Sequence, residues 1–169
     1  VQAAAPDFHP RFAAKSRRYR YTLYNSPLRS PLRERFAWRV WPPLALPALE
    51  QATEWLIGRH DFAAFGTAPT PGSHTVRRVL AARWQADPPD EQGQTLAFEI
   101  EADAFLFRMV RTLVGTLRRV GVGELTPAEF GQVLLSRRRE AAAHAVHGRR
   151  PPRGQRGRPV DGGVGAGVA

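Results

Sequence analysis

The chain of 169 residues has no cysteine. Disulfides, thiolate nucleophiles and cysteine-ligated metals are therefore excluded, and a reducing compartment suits it. Lysine is nearly absent as well: Lys15 is the only one, so almost all positive charge is arginine. No apolar run approaches the roughly 20 residues of a membrane-spanning helix, and the first residues form no signal-peptide core. A Gly-rich phosphate loop, G-x-S-x-G and H-E-x-x-H are all missing. Of the five histidines, only His144 and His147 lie close together, where local patterning is already failing. A soluble, intracellular (cytoplasmic) protein with no metal and no membrane partner is expected.

What is present is positive charge. Lysine and arginine number 25 against 15 acidic residues, net +10. Such an excess favours a polyanion partner, most often nucleic acid. It is uneven: from Arg137 onward eight arginines face only Glu140 and Asp161, so six of the ten net charges sit there. The length suits one domain with a real core.

The most strongly patterned stretch is Ala104 to Gly121. Leu106, Met109, Val110, Leu113, Val114, Leu117 and Val120 recur at helical spacing, and Gly121 ends the run. Arg108, Arg111, Arg118 and Arg119 take the other face. Periodicity leaves two readings open: a core helix with a solvated basic face, or a rigid mount that brings an arginine to an anion.

Around it the pattern predicts strands at 17–25, 33–41, 75–87 and 95–102. In the first, Tyr19, Tyr21 and Leu23 share one face. The second is expected to be its hairpin partner. Helices are predicted at 47–57, 105–120 and 127–137, with Pro47 in the first turn of one and a Thr126-Pro-Ala-Glu129 capping box opening another. Leu49, Ala52, Thr53 and Leu56 form one inner stripe; Phe130, Val133 and Leu134 form another. Gly66 to His74 is a polar loop with two glycines, too few for a phosphate cradle. From His147 the chain is mostly Gly, Pro, Arg, Ala and Val without period, and it is expected to be disordered. The class is α+β: a mainly antiparallel sheet with helices on one face. Residues 1–140 would form the domain and 141–169 an Arg/Gly/Pro-rich tail.

Tyr19 lies between arginines in Arg17-Arg18-Tyr19-Arg20-Tyr21. Rings between cations suit nucleic acid, because rings stack on bases while arginines meet phosphates. The same pattern also describes a strand with core tyrosines and solvated arginines.

Four segments in order carry a specific resemblance. They are Phe8-His9-Pro10-Arg11-Phe12, Arg17-Arg-Tyr-Arg-Tyr21 with Tyr24-Asn25, Gly58-x-His-Asp-Phe62, and Ala104-Phe-Leu-x-x-Met-Val-Arg-x-x-Val-Gly115. Together, over roughly Phe8 to Arg139, the chain resembles the C-terminal half of TruA-type tRNA pseudouridine synthases. The resemblance implies half of a two-part catalytic fold, with the active site in the cleft between the halves. It also implies uridine-to-pseudouridine isomerisation in the anticodon stem-loop of tRNA, no cofactor, and a homodimer for the intact enzyme. The family's base-contacting tyrosine falls on Tyr19. Its arginine that pairs with the catalytic aspartate falls on Arg111. Its tRNA-touching segments fall on Phe8, His9, Pro10, Arg11 and Phe12, and on the loop containing Pro69, Thr70, Pro71, Gly72 and Ser73. These roles are chemically coherent. A base must leave its stack before its glycosidic bond is remade, and a fixed cation keeps a nucleophilic carboxylate ionised.

Two departures bear on activity. The family's nucleophilic aspartate lies in a G-R-T-D-A-G-V-H-A segment of the N-terminal half, and none of this chain's aspartates has those surroundings. The chain alone is thus expected to be inactive, and the absence of an initiator methionine suggests a piece of a longer chain. The family's closing G-L-Y strand is also not recognisable after His147-Gly148, which suggests a frameshifted end from about Ala141. An Arg-rich RNA-binding arm is the competing reading of that tail. For the whole chain, the alternatives are a non-catalytic tRNA-binding module and a remnant that does not fold stably.

Overall fold

Strand β5 (Gln94–Ala102) is the centre of the fold, and its alternation explains why. Leu96, Phe98, Ile100 and Ala102 are buried on one face, while Glu99 and Glu101 point to the other. On one side β5 pairs antiparallel with β1 (Arg17–Asn25), in a register that sets Tyr19 opposite Ile100, Tyr21 opposite Phe98 and Leu23 opposite Leu96. On the other side it pairs antiparallel with β4 (Val76–Ala86). A bulge between Val79 and Ala81 switches the phase of β4, so that Val79 before it and Trp84 after it both reach the core. The short strands β2 (Trp38–Val40) and β3 (Gly58–Asp61) form the edges, giving the order β2-β1-β5-β4-β3. The structure, a computed structural model, describes residues 14–70 and 72–142. The tail beyond Ala142, the segment Phe8, His9, Pro10, Arg11 and Phe12, and Pro71 lie outside them.

Three helices cover the apolar face: α1 (Leu46–Glu54), α2 (Met109–Gly121) and α3 (Pro127–Ser136). Their inner stripes are those the spacing predicts, with Leu49, Ala52, Thr53, Leu56, Leu113, Leu117, Phe130 and Leu134 all buried. The α3 capping box forms in full: Thr126 Oγ1 accepts from the Glu129 amide, and the Glu129 carboxylate accepts from the Thr126 amide. Gly131 lets α3 approach α1, since a Cβ there would come within 2.7 Å of the Trp55 ring. The α+β architecture stands as expected, with three antiparallel pairings and one parallel.

Two elements differ from expectation. The predicted strand 33–41 is not the hairpin partner of β1. Only Trp38–Val40 is extended, and it runs parallel to β1. Arg33–Arg35 is a 3-10 turn instead, because the Glu34 carboxylate collects Arg29 at 2.7 Å and the Ser30 amide at 3.1 Å, closing the chain locally. Edge strand β3 was not expected as a strand, since its four residues show no alternation.

One buried polar chain crosses the core. The Trp84 indole N–H donates to Thr53 Oγ1 at 3.0 Å, and that hydroxyl donates to the Leu49 carbonyl at 2.8 Å. Thr53→Val keeps the shape and removes the indole's acceptor. It should lower unfolding stability by about 1–3 kcal/mol, read as a lower urea midpoint at unchanged slope, whereas Thr53→Ser should stay near wild type.

Candidate active site and nucleic-acid interface

The helix carrying Arg111 does not start where its apolar spacing starts. Arg108 takes a left-handed conformation, φ 64°, and α2 begins only at Met109. An L-residue pays about 1–2 kcal/mol for that geometry. The kink frees residues 104–108 from the helix and lets them turn over the end of the sheet. Phe107 forms an isolated antiparallel bridge with Thr67, donating to its carbonyl at 2.9 Å and accepting from its amide at 3.3 Å. The loop after β3 is thereby tied to the start of α2. Gly66 makes the close approach possible, because a Cβ there would lie 2.6 Å from the Leu106 Cβ.

Arg111 sits in the first turn of α2, on the face away from the core, and is exposed. Among the described residues it meets no carboxylate. The nearby ring is Tyr21, whose phenol is pushed up from its ordinary value by burial, an effect the Arg111 charge partly offsets. Tyr19, two residues earlier on the same strand face, is half-buried and packs edge-to-face on Phe105, with centroids 4.7 Å apart and planes at 78°. The strand β1 and the segment entering α2 thus bring Tyr19, Tyr21, Phe105 and Arg111 to one end of the sheet. Of these, Tyr19 and Arg111 are the residues expected from sequence. Tyr21 shared a face with Tyr19 in the strand pattern, which was the available signal for it. Phe105 stood in the Ala104-Phe-Leu segment of the resemblance but was given no role, since an aromatic at the start of an apolar helix reads as core.

The neighbouring arginines of β1 behave differently. Arg18 pairs with Glu101 at 2.7 Å, while Arg20 and Arg83 flank Glu99 at 3.6 and 2.6 Å. The Ser16 hydroxyl and then Arg18 hold the Glu101 carboxyl below its usual range. That face of the sheet is charged but compensated. So the Arg17–Tyr21 motif divides, with Tyr19 turned to Phe105, Tyr21 lying near Arg111, and Arg18 and Arg20 turned to carboxylates.

Pro69, Thr70, Gly72 and Ser73 are exposed in the loop between Thr67 and β4. The Thr70 carbonyl accepts from the Ser73 amide and hydroxyl, at 3.1 and 2.7 Å, forming a tight turn. At the loop's base Arg77 is buried. Its Nη1 donates to the carbonyls of His74 and Val76 at 3.1 and 2.7 Å, and its Nε has no partner. Among the described residues no group of three or more His, Asp or Glu could hold a metal ion. No helix there is long and apolar enough to cross a membrane.

A family profile described as tRNA pseudouridine synthase matches residues 52–150. The chain is 39% identical over 150 residues to the tRNA pseudouridine synthase A of Myxococcus xanthus, covering 89% of the chain and 54% of that protein. It is 38% identical over 138 residues to that of Moorella thermoacetica, covering 82% and 54%. With the Syntrophotalea carbinolica protein it shares 43% over 128 residues, covering 76% and 49%. The chain spans about half the length of the curated relatives it matches.

Proposed function

The chain belongs to the tRNA pseudouridine synthase family, and from that premise we propose that it supplies one half of an enzyme that isomerises uridine in the anticodon stem-loop of tRNA. In this reading Arg111 is the cation that holds a nucleophilic aspartate ionised, and Tyr19 is the ring against the extruded base. The aspartate comes from the other half. The intact enzyme works without a cofactor, in the cytoplasm, as a homodimer. The observation that carries the reading is Arg111 itself: exposed, on a rigid helix, free of any carboxylate among the described residues, and beside the aromatic face of β1.

The chemistry allots this chain a supporting part. The N1–C1′ bond breaks and N1 takes up a proton, a C5–C1′ bond forms, and the C5 proton is lost to solvent. A carboxylate nucleophile can hold the sugar or base during this exchange only while ionised, and a guanidinium within reach favours that form. The base must rotate between the two bonds, and an aromatic wall permits rotation while keeping it unstacked. The loop at Pro69–Ser73 and the Phe8–Phe12 segment would grip the surrounding tRNA.

Two protein samples test this, with proton release from C5 of uridine in tRNA as the readout. The 169-residue chain alone should release nothing, because these residues include no aspartate in the required setting. The chain joined to the N-terminal half of the Myxococcus xanthus relative should turn over. Turnover by the chain alone would sink the division of labour. A joined protein that binds tRNA in a salt-dependent way yet never isomerises it would make the chain a non-catalytic tRNA-binding module.

A further inference from the structure

Phe107 is the most exposed aromatic ring among the described residues, at 64%. It is no loose surface side chain. Two backbone hydrogen bonds to Thr67 pin it, and the left-handed Arg108 that follows lays its guanidinium 5.1 Å from the ring centroid. Arg139 reaches the same place from beyond α3, its Nη1 donating to Thr67 Oγ1 at 2.7 Å. Arg108 and Arg139 meet no carboxylate among the described residues. The contrast with the sheet's other face, where Arg18, Arg20 and Arg83 are ion-paired, is informative. Here a held-out ring has one uncompensated cation, Arg108, against it and a second, Arg139, on the Thr67 to which it is bridged.

A flat apolar face rimmed by guanidinium groups fits one kind of ligand well. Unpaired nucleotides present a π-face to rings and guanidinium planes, and a phosphate to the cations beside them. A paired duplex offers only its phosphates there, since its bases are already stacked. An apolar protein surface would have to desolvate both cations to reach the ring. We propose that Phe107 and Arg108 form a stacking platform for a second unpaired nucleotide of the substrate loop, distinct from the base at Tyr19, with Arg139 meeting its phosphate. This inference rests on the tRNA reading above and adds a residue that selects looped over paired RNA.

Fluorescence anisotropy of the 169-residue chain with two RNAs tests it: an anticodon stem-loop, and a duplex of equal length with no loop. The wild-type chain should prefer the stem-loop. Phe107→Ala should weaken stem-loop binding about tenfold, the scale of one base–aromatic stack, and leave duplex binding unchanged. Phe107→Leu, which keeps apolar bulk without a π-face, should lose as much; Phe107→Trp should retain it. Because the ring is exposed, thermal unfolding of all three variants should match wild type. Equal stem-loop affinity for wild type, Phe107→Ala and Phe107→Leu would overturn the platform while leaving the tRNA reading standing. So would equal losses on both RNAs. A wild-type chain that binds neither RNA would overturn both.

Discussion

Arg111→Ala, placed in the chain joined to an aspartate-bearing N-terminal half, should lower kcat for uridine isomerisation by roughly 100- to 1,000-fold, the usual scale for removing one fixed electrostatic group from a reacting centre. Stem-loop affinity should change only about threefold or less, because one exposed guanidinium is at most one phosphate contact. That split separates a group acting on chemistry from a cation that merely gathers RNA. The pH dependence adds a second test. A nearby cation lowers a carboxyl pKa, so removing it raises that pKa. The acid limb of the rate profile should therefore move to higher pH in Arg111→Ala. Arg111→Lys keeps the charge but loses the planar fork, and should fall between the two. Thermal unfolding should be unaltered, since Arg111 is exposed and alanine is a better helix former. If kcat and affinity fell together, the proposed role for Arg111 would be wrong.

How much of this was legible in the chain differs by element, for physical reasons. Helices α1 and α3 were readable because several signals agreed: Pro near the start, a capping box in α3, and apolar residues at helical spacing. Strand β5 was readable because one of its faces is core and the other is charged. The segment Arg33–Trp41 misled because alternating aromatics resemble a strand, whereas one carboxylate, Glu34, folds half of it into a turn. The direction in which Trp38–Val40 pairs depends on the path of that turn, which alternation does not encode. Edge strand β3 owes its form to β4 rather than to its own four residues. At the site, spacing alone put Arg111 on the polar side of α2. Phe107 was hidden by its neighbours. Between Phe105-Leu106 and Met109 any periodic reading places it in or near the core, and only the left-handed turn at Arg108 puts it out in solvent.

Phe98→Ala should be the most damaging single change to the fold. Its side chain is fully buried on the central strand, with Tyr21 opposite on β1 and Trp84 opposite on β4, the latter ring 5.1 Å away. Truncation removes apolar burial on both sides at once and leaves a cavity that neither neighbouring strand can close without breaking register. The expected loss is about 3–5 kcal/mol, against a total of about 5–15 kcal/mol for an ordinary domain. Calorimetry should show the midpoint falling by roughly 10–20 °C. The site should fail with the core, because Tyr19 and Tyr21 hold their positions through the β1–β5 register. Stem-loop binding by Phe98→Ala should therefore weaken in step with the unfolded fraction and recover on cooling. Arg111→Ala and Phe107→Ala should show no such temperature dependence. A Phe98→Ala chain that melts like wild type would mean that the apolar face of β5 is not the core of this fold.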